Sequence, residues 1–198
     1  MQTPSGWHSR GYLPHFDGGE IFQFVTFRLA DAVPARMIGK WKYELNHQAE
    51  SERKSEMRKK IEAFLDRGYG SCYLKQERIA NIVRLKILEF HQKHYDLIAW
   101  VIMPNHVHML FKALPGRELE KILKNIKGST AREANKILFR KGRFWQKEYF
   151  DRYIRDAGHY HSVVAYIENN PVKAGLCRSK EAWWYSSAVG KNSLEDAQ

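Results

Sequence analysis

AWVIMPNHVHMLFKA, residues 99–113, is the stretch around which the rest of the chain arranges itself. It is apolar on both sides of a turn-forming break, Met103-Pro104-Asn105, and so reads as two strands, 95–103 and 106–113, folded into a hairpin. Side chains alternate along a strand, so His106 and His108 must project from one face. Two imidazoles side by side on a half-buried sheet surface need partners, and a divalent metal is a common one. On pattern alone the pair reads equally well as two metal ligands or as hydrogen-bonded structural rings. As ligands they would need a third protein donor from elsewhere, with one position left open for substrate.

Working outward, residues 20–29 (EIFQFVTFRL) alternate well enough to form a first strand. The next segment, 37–67, is charge-mixed, with a thin apolar stripe of Trp41, Leu45, Met57, Ile61 and Phe64. It reads as an inserted helix or helix pair lying on the domain, the insertion spanning 37–70 and closed by Gly68 and Gly70. Residues 76–94 carry Ile79, Ile82, Val83, Leu85, Ile87 and Phe90 at helical steps, and a helix there should cover the sheet. A second such helix is expected over 118–138, with Leu119, Ile122, Leu123, Ile126, Ala134 and Ile137 inward and its lysines mostly outward. Aromatic-rich 144–154 is a further strand candidate, and 159–169 a short helix that Pro171 should stop. Strand, helix, paired strands, helix, strand is the order of an α+β domain: a ferredoxin-like antiparallel sheet with helices on one face. A single domain over 1–198 is expected, with 188–198 as a flexible tail.

At 198 residues the chain is long enough to bury roughly two-thirds of its unfolded surface without disulfides. Cys72 and Cys177 form no metal-like pair, and no apolar run approaches the roughly 20 residues of a membrane span. No membrane partner is expected, and cytoplasmic residence is. The formal charge is +11, and between Arg117 and Arg155 twelve Lys or Arg stand against five Asp or Glu. So local an excess is the footprint of a polyanion-binding surface, nucleic acid first, because neutralised phosphates release counterions. Lys121, Lys124, Lys127, Arg132, Arg140, Lys141 and Arg143 are the candidates to hold phosphates, with Phe144, Trp145 and Tyr149 either stacking on unpaired bases or filling the core.

The second chemically loaded stretch is HSVVAYIENNPVKAGL, 161–176. Tyr166 and Asn170 are four residues apart and share one helical face, within about 6 Å at Cβ. A phenol and a carboxamide so placed can act as nucleophile and neutral oxygen ligand, although a tyrosine in this pattern also reads as an amphipathic core residue. His159, seven residues before Tyr166, would neighbour the site in a structural role, and His161 would be solvated.

NHVHML after a buried strand, then RFWQ, AYIENNPVKAGL and WYSS in order, resemble the single-tyrosine transposases of the HUH-endonuclease superfamily. Within this IS200-like group the chain most resembles the REP-associated tyrosine transposases, over roughly Gly6 to Ser187. The resemblance implies that His106 and His108 are metal ligands, Asn170 the third ligand and Tyr166 the nucleophile. It implies Mg²⁺ or Mn²⁺ as cofactor, and a single-stranded DNA hairpin, REP-like, as partner and substrate. It also implies nicking and strand transfer through a 5′-phosphotyrosine, a nucleoid-associated location, and a monomer, with a dimer possible. Two departures stand out: the 37–67 segment is longer than in compact members, and the tail after Ser187 is short. A hairpin-binding protein without cleavage is the alternative. A zinc hydrolase built on His-x-His fits less well, since no matching carboxylate motif is present and a barrel of the usual size needs about 250 residues.

Overall fold

The computed structural model describes residues 6–9, 14–17 and 21–189, the first two segments by backbone alone. Strands β1 (Gly6–Ser9) and β2 (Pro14–Asp17) pair antiparallel. The central sheet contains β3 (Phe22–Arg28), β4 (Tyr95–Ile102), β5 (His106–Ala113) and β6 (Phe150–Tyr153), in the antiparallel order β4-β5-β3-β6. Helices α1 (Ala35–Glu44) and α2 (Glu50–Asp66) follow β3, α3 (Glu77–Phe90) precedes β4, α4 (Leu119–Ile137) follows β5, and α5 (Ala157–Lys173) follows β6. The run β3-α3-β4-β5-α4-β6 is the ferredoxin-like βαββαβ order anticipated from the sequence.

The two sheet faces have separate cores. Val25, Phe27, Val107, Met109 and Phe111 pack with Ile79, Val83 and Ile87 of α3 and Ile122, Leu123 and Ile126 of α4. Burying each large side chain here contributes about 1.5–3 kcal/mol. Phe24, Val101, Met103 and Leu110 point the other way and pack against Ile167 of α5. The paired helices α3 and α4 thus share one face, and α5 crosses the face that carries His106 and His108. With β5 between β4 and β3, both histidines are 1% exposed.

The 37–70 insertion is a helix pair whose stripe is buried as expected at Trp41, Leu45, Met57 and Ile61, whereas Phe64 is only partly buried and Leu65 beside it takes the fully buried place. Two boundaries differ from the sequence reading. The strand expected over 144–154 shortens to β6, because Phe144 and Trp145 turn into the core under α4. Trp145 keeps one bridge to Leu29, and its indole N–H donates to Thr130 Oγ1 at 2.9 Å. These two rings are therefore core, and are not available to stack on bases. Pro171 does not stop α5, which runs on to Lys173. In this last turn the proline removes one N–H, and the helix ends at Gly175 instead. At φ +69°, Gly175 lets its own N–H bond Val172 O, and that of Leu176 bond Pro171 O, both at 2.9 Å.

Cys72 and Cys177 are free, and among the described residues no helix is long and apolar enough to cross a membrane. Residues 183–188 edge β4: Ile102 N–H bonds Tyr185 O, Ser187 N–H bonds Trp100 O, and Ala188 is buried. The rest of the tail, 190–198, lies outside the described residues.

Candidate active site

The geometry starts from β5. His106 and His108 aim their Nε2 atoms at one another, 3.1 Å apart. Two nitrogens each about 2.1 Å from one ion, at an angle near 90°, would stand roughly 3.0 Å apart, so the pair already has the spacing of adjacent ligands. Each ring is oriented by its other nitrogen. His106 Nδ1 meets Asn105 Oδ1 at 2.7 Å, and His108 Nδ1 meets Thr26 Oγ1 of β3 at 2.7 Å.

Asn105 settles one tautomer. Its Nδ2 donates to Leu65 O at 3.2 Å and Tyr69 O at 2.9 Å, so its Oδ1 faces His106 and must accept. His106 therefore carries its proton on Nδ1 and presents a lone pair at Nε2. Burial, with the nearby Arg28 and Lys173 charges, pushes the His106 pKa down to about 3, and burial beside His106 pushes that of His108 well below its ordinary value. Both rings are neutral at physiological pH, the form that ligates metals. In the sequence Asn105 reads only as a turn residue. Its orienting role rests on contacts 36 and 40 residues away, for which no local signal exists.

Helix α5 brings the other two residues. Asp156 caps it by accepting from His159 N–H at 2.7 Å, and His159 Nδ1 accepts from Arg155 N–H at 3.2 Å, so His159 serves the helix start. His161 is exposed, as expected. The Tyr166 ring lies edge-on to His108 (centroids 5.3 Å apart, planes at 64°) and to Phe24 (5.9 Å, 86°). Burial raises its phenol pKa, Glu62 and Asp66 add to the rise, and the neighbouring Asn170 amide and Arg58 oppose it. The phenol is thus protonated at neutral pH and ionises only if positive charge is brought to it.

The Tyr166 hydroxyl, both polar atoms of the Asn170 carboxamide and Asp66 Oδ1 are all buried without a hydrogen-bond partner. Buried polar atoms are nearly always bonded, so four orphans within one neighbourhood mark a place for a polar ligand. Among the described residues no three His, Cys, Asp or Glu side chains form a metal-binding group, and the donor set on offer is two neutral imidazoles with the Asn170 amide oxygen. Carbonyl oxygen suits Mg²⁺ and Mn²⁺, imidazole the later transition metals, and the set fits a divalent cation.

The structure thus assembles His106, His108, Tyr166 and Asn170 on one sheet face. The basic candidates lie apart from them. Lys121, Lys124, Lys127 and Arg132 are on α4, across the sheet, and Arg140, Lys141 and Arg143 follow it. Lys121 pairs with Glu118 at 2.7 Å. Lys127, expected outward, is half-buried: its Nζ donates to Lys147 O at 2.9 Å and lies 5.7 Å from the Tyr149 ring centroid, and burial lowers its pKa to about 8. An open cavity of about 500 Å³ between α4 and residues 142–149 includes Lys124, Lys127 and Arg143 in its lining.

His106, His108, Tyr166 and Asn170 all fall within the part of the chain, residues 73–170, that matches a transposase family model. That model is "Transposase IS200 like", and the match covers 98 of the 198 residues. A solved REP-associated tyrosine transposase bound to a REP hairpin shares the fold, with a TM-score of 0.57 and 16% identity over 96% of this chain and 86% of that one. A Deinococcus radiodurans R1 crystal structure, described as a transposase candidate, aligns at 16% identity over 82% of this chain and 96% of its own, with a TM-score of only 0.37. No curated protein sequence matches the chain.

Proposed function

We propose that this protein is a divalent-metal-dependent single-stranded DNA endonuclease and strand transferase that acts on hairpins of the REP type. The observation that carries the reading is the convergence of His106 and His108 Nε2 at 3.1 Å beside the Tyr166 ring. His106, His108 and Asn170 would hold Mg²⁺ or Mn²⁺. When bound, the cation supplies positive charge that favours phenolate and offsets charge on the phosphate oxygens.

The protein's own part is nucleophile and geometry. Tyr166 Oη forms a bond to phosphorus while the bond to the 3′-oxygen breaks. The phenol proton passes to solvent, the leaving oxygen takes up a proton as the 3′-hydroxyl, and a 5′-phosphotyrosine remains. Attack by another 3′-hydroxyl reverses these bonds and joins strands, so the bond energy is conserved without a hydrolytic water. Single strands suit the site because an exposed sugar-phosphate chain can reach a recessed tyrosine, whereas a stacked duplex cannot. The α4 cations would grip the hairpin phosphates. One chain supplies all four site residues, so a monomer suffices, working as one domain at the nucleoid.

The test is cleavage of a labelled DNA hairpin with unpaired flanks, in Mg²⁺ or Mn²⁺. His106→Ala is expected to lose cleavage while keeping most hairpin affinity. A His106→Ala protein that fails to fold would favour a structural role for the ring. Binding with no cleavage of any hairpin tried would favour a binding-only protein.

A further inference from the structure

Beside this site the inserted helix pair ends in an ion pair that joins it to the tyrosine helix. Lys173 Nζ bonds Asp66 Oδ2 at 2.9 Å and lies 5.8 Å from the centroid of the Tyr166 ring. It stands seven residues, two helical turns, beyond Tyr166, and so on the same face of α5. Its side chain is 59% exposed, whereas that of Asp66 is 15% exposed. One N–H of the ammonium is used by Asp66, and among the described residues no other hydrogen bond to Nζ is formed, so two of its three donors are unused on a largely exposed side chain. Its positive charge reaches both imidazoles. The end of α2 is pinned there independently, through Asn105 and the carbonyls of Leu65 and Tyr69.

We propose that Lys173, positioned by Asp66, grips a non-bridging oxygen of the phosphodiester that Tyr166 attacks, which makes the inserted helix α2 part of the active site. This rests on the reading of Tyr166 as nucleophile. Lys173 is then a substrate-contacting residue, and Asp66 a positioning residue that keeps a flexible side chain over the phenol. A solvent-exposed ion pair with no such role would contribute little to stability and nothing to DNA contact.

Because a failed nucleophile assignment must not hide the result, the test reads binding in the Tyr166→Phe background. Hairpin oligonucleotides with unpaired flanks are compared with versions in which one flank phosphate at a time is made a neutral methylphosphonate. Adding Lys173→Ala is expected to weaken binding of the all-phosphate oligonucleotide roughly tenfold, the scale of one charge-assisted contact. At one linkage the methylphosphonate should abolish that loss, and Lys173→Arg should retain affinity. Asp66→Asn is expected to lose less, and the Lys173→Ala, Asp66→Asn pair no more than Lys173→Ala alone. An equal loss from Lys173→Ala at every neutralised linkage, or no loss at all, overturns the proposal. In protein that retains Tyr166, covalent adduct formation with that linkage intact tests the nucleophile separately.

Discussion

The most constrained residues are the two histidines, and their neutrality sets a pH dependence. In the folded metal-free protein both imidazole pKa values are depressed, that of His106 to about 3, while the unfolded chain titrates near its ordinary 6.5. Above pH 6.5 both states are neutral and this contribution to stability is fully present. As pH falls below 6.5 the unfolded state takes up protons that the folded state refuses, and stability drops by up to about 1.4 kcal/mol per pH unit for each ring. Urea unfolding between pH 8 and 5 should show the decline, and a protein lacking both imidazoles should show a flatter one. An unchanged slope would mean that the rings protonate in place. Asn105→Ala, which frees His106 to turn, is expected to weaken Mn²⁺ binding about 10–100-fold, read by spin-resonance titration of free Mn²⁺.

At the level of elements, the alternation of β5 was open to direct reading, since it places both histidines on one face whatever packs above. The same is true of the spacing of Tyr166 and Asn170. The end of α5 was not. Pro171 lies in the last turn, where it costs one backbone hydrogen bond, and Gly175 closes the helix. Equally hidden was the reach of the insertion into the site. A charged, thinly striped sequence shows that α2 is amphipathic, but Asp66 meets Lys173 across 107 residues and Asn105 meets Leu65 across 40, and such contacts leave no local periodicity. The turn that returns α2 to the core is tightly specified. Gly70 has φ +90°, and a Cβ there would stand 2.9 Å from Asp31 O, while Asp31 itself accepts from Ser71 N–H at 2.8 Å. Gly70→Ala is expected to cost about 2 kcal/mol or more in urea unfolding. A cost under about 0.5 kcal/mol would mean that the turn relaxes freely.

For the whole molecule, the sheet divides the labour. On the proposed reading its α5 face would hold the chemistry, while its α4 face holds most of the basic surface that the sequence singled out, so a bound hairpin would have to wrap the sheet edge to meet both. Replacing exposed Lys124, Arg132 and Lys141 by Ala should weaken hairpin binding and reduce the slope of log affinity against log salt by about 2–3, as expected for three phosphate contacts to a DNA hairpin. Adduct formation at saturating DNA should stay within about twofold. A collapse of that rate would place these cations at the chemistry instead.

All of this depends on Tyr166 as the residue that takes the DNA. Protein incubated with a single-stranded hairpin oligonucleotide and Mg²⁺ or Mn²⁺, denatured, digested and analysed by mass spectrometry, tests that dependence directly. The expected result is a nucleotide joined through phosphate to the Tyr166 side chain, and no adduct from Tyr166→Phe. An adduct mapped to another residue, or one that persists in Tyr166→Phe, would contradict it.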